Sequence, residues 1–198
     1  MKKIIRLNTF ETNSSSSHSL VITKRTEPAT NRFPRNSDEV FELTEYGVVE
    51  CCDYGTEVET MHCEVDKARF MLNVIAGHIG EDDDGYYDEF HYPEVAYWIN
   101  NDWEKGIKNT NRTFELLIKQ KPFVWLKELL EEKTGTKFEF VEPDTGWDFP
   151  YYVQARDNNY GLDEVIGINW FDEKEFKERM SEIIFDDDII IKDIEEDY

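Results

Sequence analysis

The sequence predicts an α+β fold: one domain over residues 1–198, with a mixed or antiparallel sheet packed against about four helices. Three observations predict it. Apolar residues at helical spacing fill the middle of the chain, and short alternating segments lie near both ends. A 39% apolar and 14% aromatic content supplies a core that disordered acidic chains lack. No internal repeat or low-complexity linker divides the 198 residues, a length that buries about 70% of its unfolded surface without a disulfide or structural metal.

Taken in order, residues 3–7 and 18–23 (HSLVIT) read as strands around a polar loop, 8–17. Residues 24–39, rich in Pro, Asn, Thr and charge, read as an exposed connection. Residues 46–52 and 57–63 form a candidate hairpin around Asp53-Tyr54-Gly55. The clearest helix is 65–79: Val65, Ala68, Leu72, Ile75 and Ile79 share a face, Phe70, Met71 and Val74 widen it, and Gly80 stops it. Pro93 suits the first position of a helix over 93–106. Residues 112–133 have a helical pattern that Pro122 must split, with Phe123, Leu126, Leu129 and Leu130 inward on the second piece and Gly135 ending it. KFEFVE (137–142) alternates as a strand, and 151–155 and 163–168 are weaker strands. Asp172 with Glu175 makes a capping box for a helix to about residue 184, and 188–192 is a last strand.

Charge is the dominant global property. Lys and Arg total 22 and Asp and Glu 44, a net of −22. Residues 1–36 carry seven basic side chains (Lys2, Lys3, Arg6, Lys24, Arg25, Arg32, Arg35) and two acidic ones, a net of +5, so the body carries −27. Such a body repels phosphate; direct nucleic-acid binding would fall to the basic arm. The same field attracts cationic surfaces, including the grooves in which nucleic-acid enzymes hold phosphates, although acidity also serves plain solubility. Three cysteines, Cys51, Cys52 and Cys63, with no leader-like apolar run after Met1 lead to the expectation of a reducing cytoplasm. No apolar stretch is long enough to span a bilayer.

Several motifs bear on chemistry. Glu11-Thr12-Asn13-Ser14-Ser15-Ser16-Ser17-His18 gathers hydroxyls and turn-forming amides near Arg6, a composition that can surround an anion, and His18 is a candidate base for Ser16. The loop lacks a Gly-x-Ser-x-Gly elbow and a P-loop lysine, and Ser/Asn runs also form ordinary turns. Cys51, Cys52, His62 and Cys63 are four candidate zinc ligands, but adjacent residues of a strand point to opposite faces, and buried thiols are the commoner state. The acidic loop fails as an EF-hand: with Gly85 in the sixth position, Gly80 and His91 stand where carboxylates are required. Its Asp82, Asp83, Asp84, Asp88 and Glu89, mixed with Tyr86 and Tyr87, suit a docking patch for a basic protein surface. The tail acids Asp186, Asp187, Asp188, Glu195 and Glu196 suit the same role, since residues 185–198 hold seven acids against one lysine. Glu139 and Glu142 lack the E-x-E spacing of ADP-ribosyl transferases.

The opening Ile5-Arg6-Leu7-Asn8-Thr9-Phe10-Glu11-Thr12-Asn13-Ser14-Ser15-Ser16-Ser17-His18-Ser19-Leu20-Val21-Ile22 resembles the start of a family of small acidic proteins from phages and mobile elements of Firmicutes. Asp66-Lys67-Ala68 and the run from Ile183 to Ile191 are similar to that family's middle and tail. The resemblance implies an inhibitor of the anti-CRISPR kind and brings no catalytic residue with it. The resulting expectation is a cytoplasmic protein, without cofactor, that binds the basic groove of a host nucleic-acid-handling defence protein such as an RNA-guided CRISPR effector. The alternative is an enzyme that acts on a phosphate-bearing substrate, a nucleotide or guide RNA, through His18, Ser16 and Arg6.

Overall fold

The computed structural model describes residues 9–10, 16–24, 31–44, 56–80, 91–95, 110–141 and 166–197. Its elements run β1 (Thr9–Phe10), β2 (Ser16–Lys24), β3 (Phe41–Leu43), β4 (Thr56–Met61), α1 (Glu64–Gly80), α2 (Thr110–Leu117), α3 (Lys121–Thr134), β5 (Phe138–Phe140), α4 (Glu173–Phe185) and β6 (Ile189–Asp197). The fold is α+β, with two sheets. One has four antiparallel strands in the order β1-β2-β6-β4, and the other pairs β3 with β5 in parallel.

The helices begin and end where local chemistry dictates. Pro122 sits in the first turn of α3, where its missing N–H is no loss, so the helical pattern breaks over residues 118–120. Gly135 closes α3 at φ 69°, and its N–H reaches Glu131 O at 2.8 Å. Asp172 caps α4 by accepting from Glu175 N at 2.9 Å, and the Glu175 carboxylate takes Asn169 Nδ2 at 2.9 Å. Pro93 opens the helical turn at 93–95; residues 96–106 lie outside those described.

One apolar cluster joins these elements. Ala68, Met71 and Ile75 of α1 pack with Leu126 and Leu130 of α3 and with Phe176, Met180, Ile183 and Ile184 of α4. Phe33, Phe41 and Phe138 meet edge-on or tilted at 5.1–5.5 Å between ring centres, closing the small sheet against the core. A buried hydroxyl pair stitches residues 34–37 to the end of α3. Thr134 donates to Leu130 O at 2.7 Å, and Thr136 donates to Pro34 O while accepting from Ser37 N, both at 3.1 Å.

Three expectations need correcting. The loop over 8–17 is partly strand, because β1 pairs with β2 and Ser16 and Ser17 already belong to β2. The connection 24–39 is not simply exposed: Phe33 is buried among aromatic rings. Residues 166–168 form a turn rather than a strand, since Gly167 at φ 66° leaves the extended region while Ile166 and Ile168 turn inward. β4 pairs with β6; the other half of the expected hairpin, 46–52, lies outside the described residues, as do strands 3–7 and 151–155.

Candidate functional site

The basic arm and the acidic tail, far apart in the chain, are neighbours in the sheet. β2 pairs with β6 so that Ser16 faces Asp197, Ser17 faces Glu196 and His18 faces Glu195. Ser16, Ser17 and His18 of the serine motif therefore share a sheet with the tail acids Glu195 and Glu196. Arg6 and Glu11 to Ser15 lie outside the described residues, as do Asp82, Asp83, Asp84, Tyr86, Tyr87, Asp88 and Glu89. The arm also holds the body by ion pairs. Arg32 pairs with Asp187, and Arg35 Nη2 pairs with Glu64 at 2.7 Å.

The other tail acids have structural work. Asp186 ends α4; its carbonyl accepts from Lys67 Nζ at 2.9 Å, and its side chain accepts from Asp188 N at 2.8 Å. With Asp187 on Arg32, the Asp186-Asp187-Asp188 run builds the turn from α4 into β6, while all three remain exposed.

The sheets set carboxylate against carboxylate. Glu57 faces Glu195 and Glu59 faces Asp193 across β4 and β6, and Glu42 faces Glu139 across β3 and β5. Like charges directly opposite destabilise a sheet. The outward residues Glu42 and Glu139 are exposed, while Phe41, Leu43, Phe138 and Phe140 turn inward. No motif in the sequence singles out Glu42, Glu57, Glu59 or Asp193. The alternation in FEL and FEF is the signal that marks Glu42 and Glu139 as outward; their pairing is visible only in the register.

Cations are scarce enough to be shared. Lys177 Nζ meets Glu128 and Glu173 at 2.8 Å and Glu132 at 3.7 Å. Burial pulls its amino group down, but these carboxylates outweigh burial and hold it well above the ordinary lysine range.

Cys63 caps the start of α1. It stands before α1, its carbonyl accepts from Lys67 N at 3.0 Å, and its Sγ accepts from Asp66 N at 3.4 Å and donates to the Asp66 carboxylate at 2.8 Å. Burial, then the bond to Asp66, pushes the thiol from an ordinary value near 9 up to about 11. His62 is exposed beside it, and Cys51 and Cys52 lie outside the described residues, among which no group of three or more side chains can hold a metal ion. A raised thiol gives stability that is full below the unfolded value and lost as pH rises through the folded one. Wild-type protein is expected to lose about 2–3 kcal/mol between roughly pH 9 and 11 by this route. Denaturant titrations of Cys63→Ser, whose hydroxyl keeps the cap, should show a flatter profile; an equal slope refutes the assignment.

Comparison with family models, curated proteins and solved structures finds no match to this chain. Among the described residues no helix is long and apolar enough to cross a membrane.

Proposed function

We propose that this protein is an inhibitor of the phage or mobile-element kind that occupies the basic nucleic-acid groove of a host defence protein in the host cytoplasm, and that an RNA-guided CRISPR effector nuclease is the target to test first. One observation carries the reading: both sheets place carboxylates directly opposite one another, at Glu42/Glu139, Glu57/Glu195 and Glu59/Asp193. The arrangement costs the free protein stability, and a cationic partner relieves that cost. Positions 193, 195 and 197 of β6 repeat at about 6.8 Å, a spacing comparable to that of phosphates along a nucleic-acid strand. Asp82, Asp83, Asp84, Asp88 and Glu89, with Tyr86 and Tyr87, would extend the surface with aromatic anchors.

The test is binding to the purified effector at increasing salt. Affinity should fall steeply with salt, and Glu42→Lys with Glu139→Lys should weaken binding by about tenfold or more, an amount set by about 1.4 kcal/mol per factor of ten. Tight binding that ignores salt would remove charge mimicry, and absence of binding would remove this partner.

A second reading, catalysis on a phosphate-bearing substrate through His18, is favoured by the register that sets Glu195 opposite His18, as a base needs an orienting carboxylate. Activity at far below one protein per target, lost in His18→Ala and Ser16→Ala, would select it over blocking.

A further inference from the structure

We propose that Phe171, with the rings packed behind it, is a docking point for an arginine side chain of a cationic protein partner. Phe171 is the most exposed large apolar side chain among the described residues, at 61%. A lone exposed ring would need no explanation. This one is the outer member of a set. His91 lies against it at 4.4 Å between ring centres, and His78 meets it edge-on at 6.4 Å. His78 in turn stacks on the buried ring of Trp170 at 4.1 Å, with the planes 11° apart. The backbone fixes the display. Phe171 N donates to Asn169 Oδ1 at 3.1 Å, Asn169 Nδ2 donates to Glu175 at 2.9 Å, and Asp172, the next residue, caps α4. A ring held in this way has little freedom left to lose on binding.

Charge names the occupant. Asp172 and Glu173 follow the ring directly, Glu175 shares the first turn of α4, and Glu94 stands three residues after His91; all four are exposed. The cations on this stretch of α4 are already matched: Lys174 lies 3.7 Å from Glu178, and Lys177 is shared by Glu128, Glu132 and Glu173. The start of α4 adds only about half a positive charge, so carboxylates keep the excess around the ring. A guanidinium suits both parts of this surface. It is flat and weakly hydrated, and it stacks on an aromatic face while its N–H groups donate to carboxylates. An ammonium is a compact, strongly hydrated point charge and gains less from the ring. Arginine is also a preferred residue where proteins hold phosphates. The inference therefore rests on the groove-binding reading and deepens it, by stating which side chain of the groove this protein grips.

The experiment has two arms. In the first, the full chain without effector is titrated with a short peptide of arginines and, separately, with a peptide of lysines of equal length, while proton NMR follows the Phe171 and His91 rings. The body is acidic, so both peptides bind somewhere; the difference between them reads the ring. The arginine peptide is expected to bind about three- to tenfold tighter and to shift the Phe171 signals. That margin should vanish in Phe171→Leu, which keeps an apolar side chain without a ring and, at an exposed position, leaves folding intact. Equal affinity for the two peptides, or a margin that survives Phe171→Leu, overturns the proposal. In the second arm, wild type and Phe171→Leu are compared for binding to the purified effector. Weaker binding by the variant supports the dock. Equal binding by the two overturns it and leaves groove binding standing. No binding by either, with the arginine margin intact in the first arm, removes the groove reading and leaves the arginine dock standing.

Discussion

Replacing Lys67 with alanine is expected to lower the unfolding free energy by about 3–5 kcal/mol. Lys67 is the fourth residue after the Cys63 cap of α1, faces the core and is 1% exposed. Its Nζ donates to the carbonyls of Asp186 at 2.9 Å and Ile189 at 3.3 Å, at the negative end of α4. Alanine removes a long apolar stem from a packed site and takes a charged donor from both carbonyls, Asp186 O keeping the Ile189 N–H at 3.2 Å. Methionine keeps the stem and loses only the donor, while sparing the cost of burying an amino group, so Lys67→Met should cost about 1–2 kcal/mol. Urea denaturation of the two variants measures both quantities. A Lys67→Ala protein within 1 kcal/mol of wild type would mean that the side chain is solvated rather than sealed. The bond joins α1 to the turn that launches β6, so its loss should also loosen the sheet that β6 organises.

Replacing Arg35 with alanine is the second large effect, expected at about 3–5 kcal/mol. The Glu64 side chain is 4% exposed and the Arg35 side chain 40%. Arg35 Nη2 donates to both Glu64 oxygens, at 2.7 and 2.8 Å, and Nη1 donates to Phe33 O at 3.0 Å. Glu64 otherwise accepts from Phe33 N at 3.2 Å. Removing the arginine strands a carboxylate in a dry site, whereas removing the glutamate frees a guanidinium that water already reaches. Arg35→Ala should therefore be worse than Glu64→Gln, and adding Glu64→Gln to Arg35→Ala should recover much of the loss. Equal single effects with additive behaviour in the double variant would contradict the burial asymmetry. The guanidinium carbon also lies 5.9 Å from the centre of the Phe185 ring, so part of the loss is lost packing.

The parts of the fold that were legible in the sequence are those with a local cause. Pro122, Gly135 and the Asp172 cap each act within one helical turn, and α3 and α4 start and stop where they lead. The inward set Phe123, Leu126, Leu129 and Leu130 follows from period alone. β3 was missed because three residues, Phe41 to Leu43, become a strand only when Phe138 to Phe140 offer an edge to pair with. Phe33 was missed because Pro, Asn and Arg around it signal an open connection. It is held inside by Glu64 and by the rings of Phe41, Phe138 and Phe185, the last two more than 100 residues away.

The candidate site divides in the same way. Composition shows an acidic body, a basic arm and a serine-histidine motif, but it is silent on whether arm and body meet. The Arg32–Asp187 pair and the β2–β6 ladder bring them together across more than 150 residues. Likewise, the acids are plain in the sequence, but the facing of Glu42 with Glu139 or Glu57 with Glu195 depends on register. By itself the sequence determined the charge, the limits of α1, α3 and α4 and the apolar inward faces of those helices, because these depend on residues within a turn of one another. Only the tertiary structure decided which acids stand together and which serve a turn or a cap, because strand pairing is a contact between distant segments whose chemistry leaves no periodic trace in either one.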